Sequence, residues 1–555
     1  MQRLKSTKLY FFSILNLFFS NFKNFYFRSN FYNKKLMTFT PDRIFYNPGS
    51  HLSASLTTIH NDFYKVTSAA PELLWKTNVK DKQEFENLHG FLWLAKLDRK
   101  NSKIITKNII KSWINNFFDY DPNTWKMEIT AKRIIAWSSN TDIALEDSEK
   151  IYKDKFFSSL IKQSNFLLKN LSGLFYTPNK IICCAAIILS GMMFKENDSN
   201  YRIGIKELEK VIKNCFDEAG FPKSRNPEEV FVSIKYLILI REWFKEAQKP
   251  IPDFLNEIIN KCGNCYAILS CPNKQFPLFN GATEINHKDY DIFLKNLKYK
   301  FSSNNHETAD LIKIKKKKFE FFIDCGNPPP NNFAKYYQAG CLAFELISNK
   351  QKVICNSGYG KYLSPKLTFL SRSTAAHSTL YINDTSSCIF QKNKFINKVY
   401  GNSLVHKHKV INKNYTDDKN FYSVSAAHNG YEKQFGYIHK RSIIILKKED
   451  KIFGQDELKK TKSYSNPLTY FIRFHIYPNT KIVKTKAGNS ILISLSNREG
   501  WLLRSKTNNF EIEKNIFFGN KNKIINNESV SISGENIFFY FEIICFTPQQ
   551  PAFSI

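Results

Sequence analysis

The sequence predicts an α+β multidomain chain, an N-terminal helical toroid or bundle of helical hairpins followed by a C-terminal antiparallel β-sandwich. From about Leu52 to Leu297 apolar residues recur at three- and four-residue spacing, as in IIKSWINNFF (Ile109 to Phe118) and FFSSLIKQSNFLLKNL (Phe156 to Leu171), the period of a helix with one buried face. Beyond Lys318 the pattern changes to short runs rich in Val, Ile, Phe and Tyr, including FEFFIDCG, CLAFELIS, HSTLYIND, FYSVSAAH, YFIRFHIYP and FFYFEIICF, separated by turn signals. At 555 residues the chain is also too long for one ordinary core. The expected division is a lead-in over residues 1–50, a helical domain over 51–300, a basic linker over 301–318 and a β-sandwich over 319–555.

In chain order, the lead-in comes first. MQRLKSTKLYFFSILNLFFSNFK places basic residues ahead of an apolar stretch from Leu9 to Phe19. That stretch is shorter than the ~20 residues a membrane span requires, contains Asn16 and is followed by no small-x-small cleavage site. It reads as an amphipathic lead-in to the first domain, with a signal peptide as the alternative. No later segment has an uncharged apolar run long enough to span a bilayer, so no integral membrane domain is expected.

The clearest helix is SRNPEEVFVSIKYLILIREWF, Ser224 to Phe244. Asn226 is placed to cap it, Pro227 suits the first helical position, and Glu228 with Glu229 complements the positive end of the helix dipole. Val230, Ile234, Leu237 and Arg241 follow one side. In the second half, KKEDK between RSIIIL and IFGQDEL, and KAGN between KIVKT and SILISLS, both read as hairpin connections. Strands at this spacing imply a sizeable antiparallel sandwich.

The net charge of +32 and pI near 9.5 suit a polyanionic partner such as an acidic polysaccharide or nucleic acid. Lysine is enriched throughout and scattered rather than striped, which is also what a general compositional bias produces. The one dense run, KIKKKK from Lys313 to Lys318, reads as a solvated linker or strand approach, and no RNA or DNA module signature accompanies it. No nucleic-acid partner is therefore expected. Eleven cysteines are an odd number without regular spacing, which argues for reduced, buried thiols. Cys262, Cys265 and Cys271 include one CxxC but have no nearby fourth ligand, so they are read as structural rather than as a zinc site.

Several ordered motifs together resemble the heparinase II/III-like proteins of bacteria. In the second half they are FFIDCGNPPP (Phe321 to Pro330), YQAGCLAFELISNKQKVICNSG (Tyr337 to Gly358), RSTAAHSTLYINDTSS (Arg372 to Ser387), and HNGYEKQFGYIHKRSIIIL with GQDEL (His428 to Leu458). In the first half they are LHGFLWLAKL (Leu88 to Leu97), RIIAWS (Arg133 to Ser138), GFPKSRNP (Gly220 to Pro227) and FPLFNGA (Phe276 to Ala282). The resemblance implies an (α/α) toroid followed by an antiparallel sandwich. It also implies a polysaccharide lyase chemistry, β-elimination on a uronic-acid polymer with a glycosaminoglycan-like substrate in the cell envelope or its surroundings.

That reaction needs a carboxylate neutraliser, because the enolate-like transition state adds a second negative charge beside the C5 carbon. It also needs a Tyr or His within hydrogen-bond reach to take the C5 proton and a group to protonate the leaving oxygen. By the resemblance, the stretch Lys335 to Gly340 usually carries a catalytic histidine and, two residues later, a zinc-binding one. Here those positions are Tyr336 and Gln338, and the family's acidic ligand falls at Asn356. Only His377, matching the family's sandwich histidine, keeps a ligand identity, so the structural zinc is expected to be lost and no cofactor is expected.

The candidate catalytic residues are accordingly Tyr336, Arg225, Asn226 and His377, and the candidate substrate-binding residues are Asn280, Gln338 and Tyr431. Each has a plainer reading. Tyr336 can pack beside Tyr337, Arg225 and Asn226 can begin a helix, Asn280 can hold a turn, and His377 can be a hydrogen-bonded remnant of the metal position. Tyr431, His89, His428 and His439 can be buried and satisfied. The Asn-His-Leu motif of many lyases of the family is not found, the comparable helix reading PNKIICCAAIILSGMMF (Pro178 to Phe194). Two functions remain open: a lyase acting on an acidic glycan, and a non-catalytic acidic-glycan-binding or envelope protein with a degenerate site. Reduced cysteines favour the cytoplasm, whereas the family's substrates favour the periplasm or cell envelope.

Overall fold

The computed structural model describes residues 2–57, 71–76, 81–400, 403–464, 468–497, 499–506, 508–520, 523–535 and 537–546. The chain forms two compact units, one comprising Met1–Pro222, Glu229–Gly263 and Asp289–Lys300, the other Lys223–Glu228, Asn264–Lys288 and Phe301–Ile555.

The first unit is helical. Its core is aromatic: Trp113 and Trp137 meet edge to face at 5.3 Å between centroids, and Trp137 stacks on Phe156 at 5.4 Å. Arg133 of RIIAWS is fully buried there. Its guanidinium donates to Gln163 Oε1 at 2.7 Å, to the carbonyls of His89 and Thr124 at 2.9 and 3.0 Å, and lies 4.0 Å from the Trp113 ring. A buried arginine is tolerated when its donors are spent in this way. Helix Lys180–Met193 is buried along its whole length, and even Lys180 is inside, paired with Glu207 at 2.7 Å. The sequence PNKIICCAAIILSGMMF therefore serves packing.

The lead-in is more ordered than a linker. It forms a helix over Gln2–Arg28 and a second over Asn30–Leu36, where Ser29 Oγ accepts from Tyr32 N–H at 3.2 Å as N-cap. Among the described residues no helix is long and apolar enough to cross a membrane. Helix Pro227–Glu246 starts where the sequence predicts, with Asn226 Oδ1 accepting from Glu228 N–H at 2.9 Å. Val230, Ile234 and Leu237 are buried, but so are Tyr236, Ile238, Leu239 and Ile240, so the helix is apolar on more than one side.

The second unit contains two large antiparallel sheets. One runs Glu307–Thr308, Leu311–Lys315, Phe319–Asp324, Phe344–Ser348, Gln351–Cys355, Tyr470–Ile476, Ile525–Gly534, Glu511–Phe517, with Leu380–Ile382 also pairing on Tyr470–Ile476. The other runs Lys481–Lys484, Ser490–Ser494, Gly500–Ser505, Phe538–Phe546, Lys451–Lys460, Tyr437–Leu446, Phe421–His428, Val410–Asp417. Both expected hairpins are present, Tyr437–Leu446 with Lys451–Lys460 and Lys481–Lys484 with Ser490–Ser494. The two sheets share one core, in which Phe344 of the first stacks on Phe541 of the second at 6.2 Å and Phe319 meets Trp501 edge to face at 5.4 Å.

Two expectations of the sequence change here. The basic linker over 301–318 contains a sheet strand, Leu311–Lys315, paired along its length with Phe319–Asp324. Three of its five lysines from Lys313 to Lys318 are paired within the sheet unit: Lys313 with Glu320 at 3.0 Å, and Lys316 and Lys318 with Asp450 at 3.3 and 3.1 Å. Part of the run is thus committed to intramolecular partners. The motifs SRNP and FPLFNGA, which lie among the helices in sequence, also belong to the sheet unit. All eleven cysteines are free thiols, ten of them buried, and burial pushes the Cys271 thiol up to about 12.

Candidate functional site

Tyr336 ends a short 3-10 turn, Asn331–Tyr336, that follows strand Phe319–Asp324. It is half-buried, and its ring meets Tyr359 edge to face at 5.7 Å. Two ammonium groups flank the ring, Lys335 Nζ at 5.1 Å and Lys361 Nζ at 5.5 Å from its centroid. Lys361 is 3.7 Å from Glu228, whose other oxygen accepts from the Thr283 hydroxyl at 2.7 Å. A phenol between two cations on a partly exposed surface suits an anionic partner.

The backbone of Tyr336 rests on Gly281. Gly281 has φ of +101°, and a Cβ there would lie 2.6 Å from Tyr336 Cβ and 2.7 Å from its carbonyl oxygen. Only glycine fits both the conformation and the space. Gly281→Ala is expected to lower stability by about 1–3 kcal/mol and to displace Tyr336. Thermal unfolding measures the first effect, and an unchanged melting temperature would contradict it.

Arg225 and Asn280 meet on one buried carboxylate. The Arg225 guanidinium donates to Asp324 Oδ1 at 2.5 Å, to Ala309 O at 2.9 and 3.0 Å, and to Asn327 O at 3.2 Å. Asn280 Nδ2 donates to Asp324 Oδ2 at 3.1 Å, and Gly326 N–H to Oδ1 at 3.0 Å. Arg225 and Asn280 both adopt positive φ, 62° and 53°. Burial opposes the Arg225 charge, but the Asp324 carboxylate outweighs it and holds the guanidinium above its usual range. The Arg225 donors are thus turned inward, and the expectation that this side chain faces a cleft is replaced by a structural ion pair.

Gln338 is fully buried and acts as a three-way brace. Its Oε1 accepts from Gly281 N–H at 2.9 Å, and its Nε2 donates to Gly358 O at 3.0 Å and Ser371 O at 2.6 Å. Asn226 is spent on the helix cap. Tyr431 lies in the sandwich core with its hydroxyl donating to Leu380 O at 3.0 Å, which removes it from any surface a sugar reaches. His377 is buried, its Nδ1–H donating to Ser373 O at 2.8 Å, and burial lowers its pKa to about 4. Asn356 Oδ1 accepts from Ser378 N–H at 3.1 Å. The buried His377 Nε2 and Asn356 Nδ2 have no hydrogen-bond partner. Of Tyr336, Arg225 and His377, Tyr336 alone is partly exposed.

Deeper in the sheet unit His428 and His439 stand opposite each other in register. Gly430 N–H donates to His428 Nδ1 at 3.1 Å, so the His428 proton sits on Nε2, 3.2 Å from His439 Nδ1. His439 then donates from Nε2 to Asp456 Oδ1 at 2.7 Å. Arg441 closes the chain with two 2.8 Å bonds to Asp456 and two more to the carbonyls of Leu342 and Ser378. These residues of the HNGYEKQFGYIHKRS and GQDEL motifs are buried and satisfied, as is His89, which accepts from Trp113 Nε1–H at 3.1 Å.

A helical N-terminal region followed by large antiparallel sheets is a heparinase III-like fold. Residues 302–552 match the heparinase II/III-like C-terminal domain, which supports a heparinase II/III-like family assignment. The solved structure of a heparinase III superposes with a TM-score of 0.68 at 14% identity, over 86% of this chain and 80% of that one. The heparan sulfate lyase HepC from Pedobacter heparinus gives 0.60 at 13% identity, over 94% and 88%. At these identities the likeness is one of fold. In sequence the chain is 22% identical to FtsZ-localized protein C of Caulobacter vibrioides over 454 residues, 78% of this chain and 76% of that protein.

Lys361 and Asp324 are the site residues that the sequence does not announce. Asp324 ends an apolar strand, FFID, where a carboxylate needs a buried partner, and that is the one signal that points to it.

Proposed function

We propose that this chain binds an acidic, uronic-acid-containing glycan at the surface around Tyr336, Lys335 and Lys361, and that it does so without cleaving it. The observation that carries this reading is the commitment of Arg225: all of its hydrogen-bonding nitrogens are engaged by Asp324 and backbone carbonyls. A guanidinium so held has nothing to offer the carboxylate at the reacting carbon, where β-elimination needs its neutraliser. His377, buried with its Nδ1–H engaged, is equally removed from proton transfer. Lys335 and Lys361 supply the charge that attracts a polyanion, and Tyr336 an aromatic face for a sugar ring.

The position that the family uses for zinc also supports a degenerate site. Gln338 spends both ends of its amide on backbone groups, Asn356 is a neutral amide, and His377 is the one residue of ligand type. These donors do not fit a zinc ion.

One observation favours a second reading, that of an active lyase. Tyr336 lies between two ammonium groups, the environment in which a phenol can act as both acid and base, with Lys335 or Lys361 neutralising the substrate carboxylate. Incubation with a panel of acidic polysaccharides separates the two. The expected outcome is no rise in the ultraviolet band of a 4,5-unsaturated uronate, with measurable binding that weakens about tenfold in the Lys335→Ala/Lys361→Ala double variant. An absorbance rise that Tyr336→Phe abolishes would establish the lyase instead, and equal binding by the double variant would remove the proposed surface.

A further inference from the structure

The N-terminal helix Gln2–Arg28 carries large apolar side chains that no other described residue covers. Phe11, Ile14, Phe18, Phe22 and Phe25 are 59, 43, 66, 64 and 75% exposed. At about 100° per residue they fall on one stripe, which Phe12 and Phe19, also exposed, widen to one side. The helix is held to the body from its far end and opposite side. Phe27, nine positions after Phe18 and so about half a turn round, is buried against Phe166 at 5.8 Å. Tyr120 donates from its hydroxyl to Asn24 Oδ1 at 2.9 Å and from its N–H to Asn33 Oδ1 at 3.0 Å, and Asn165 donates to Leu36 O at 2.9 Å. The docked end fixes the stripe facing outward.

We propose that this helix lies in the interface of an anionic lipid bilayer, holding the helical unit against the membrane surface. Charge selects the occupant. The first 41 residues contain seven Lys and Arg and no Asp or Glu, so the segment is drawn to acidic headgroups. Phenylalanines on a continuous stripe then enter the boundary between headgroups and acyl chains. Length fixes the mode: the apolar stretch Leu9 to Phe19 rises only ~16 Å as a helix, about half of the ~30 Å hydrocarbon core, so it rests in the interface and does not span.

The test is co-sedimentation of the purified full-length protein with vesicles of phosphatidylcholine alone or containing about a third phosphatidylglycerol. Expected is at least about tenfold more bound protein on the anionic vesicles, partly reversed by salt. The variant Phe18→Glu/Phe22→Glu, substituted at exposed positions, should lose binding while its circular dichroism and melting temperature stay unchanged. Absence of binding to anionic vesicles, or full binding by the variant, overturns the proposal. So does a dimer, seen by light scattering, that the same variant dissociates without any vesicle binding, since the stripe then covers a second copy. Recovery from cells of a mature chain lacking the helix would also overturn it.

Discussion

Acidification from pH 7 to pH 5 is expected to unfold the sheet unit, driven by histidines it keeps neutral. His377, His408, His428 and His475 are all buried there, and burial is the first cause that lowers each pKa, to about 4 for His377, about 3 for His408 and well below the ordinary 6.5 for the other two. Geometry gives the same direction. One ring nitrogen of each of three already accepts a hydrogen: from Cys388 S–H at His408, from Gly430 N–H at His428, and from the Asn515 amide at His475. Protonating that nitrogen would set one donor against another.

In the unfolded chain these imidazoles titrate near 6.5. Between that value and the folded pKa values the unfolded state binds more protons, so stability rises with pH and falls on acidification. The contribution is fully present above about pH 6.5 and is progressively lost toward pH 3–4. At pH 5 His377 and His408 contribute about 2 kcal/mol of loss each, and His428 and His475 act in the same direction, against the ~5–15 kcal/mol total stability of a domain. His439 is left out of that sum because Asp456 opposes the effect of burial on it. Circular dichroism and tryptophan fluorescence followed from pH 8 to pH 4 measure the transition. Repeating the titration at 0.5 M salt separates it from repulsion within a chain of net charge +32, which salt screens. A signal flat down to pH 4.5 would refute the histidine account.

Asp456→Ala is expected to cost about 3–5 kcal/mol, the range for removing one partner of a buried ion pair. Arg441 and Asp456 are both inside the sandwich, and the carboxylate binds the guanidinium at two points while accepting from His439. Burial raises the Asp456 pKa, but Arg441 and His439 outweigh it and hold the carboxyl down at about 2. Without the carboxylate a guanidinium and an imidazole lose their acceptor together. The double variant Asp456→Leu/Arg441→Met is expected to recover much of the loss, since replacing both charges with apolar groups removes the desolvation penalty. Urea denaturation of the three proteins decides the point. A single variant within about 1 kcal/mol of the native protein would show that the pair carries no such energy.

The sequence is legible where structure is local. A helical period before about residue 300 and a strand pattern after Lys318, the cap at Asn226 with Pro227, and the two hairpins are all set within a few residues of chain, and each is present in the fold. The ordered motifs likewise point to the family whose C-terminal domain matches residues 302–552.

The polar partners are what the tertiary structure decides. Arg225 meets Asp324 99 residues away, Lys316 meets Asp450, and Gln338 braces Gly281, Gly358 and Ser371. Spacing tells which face of an element is buried and says nothing of which distant donor or acceptor will stand against a polar group there. So the sequence alone, through its resemblance to a lyase family, raises Arg225, Gln338 and His377 as candidates for a site. Only the fold shows that their hydrogen bonds point inward, because buried polar groups must find partners and the partners nearest them are the protein's own.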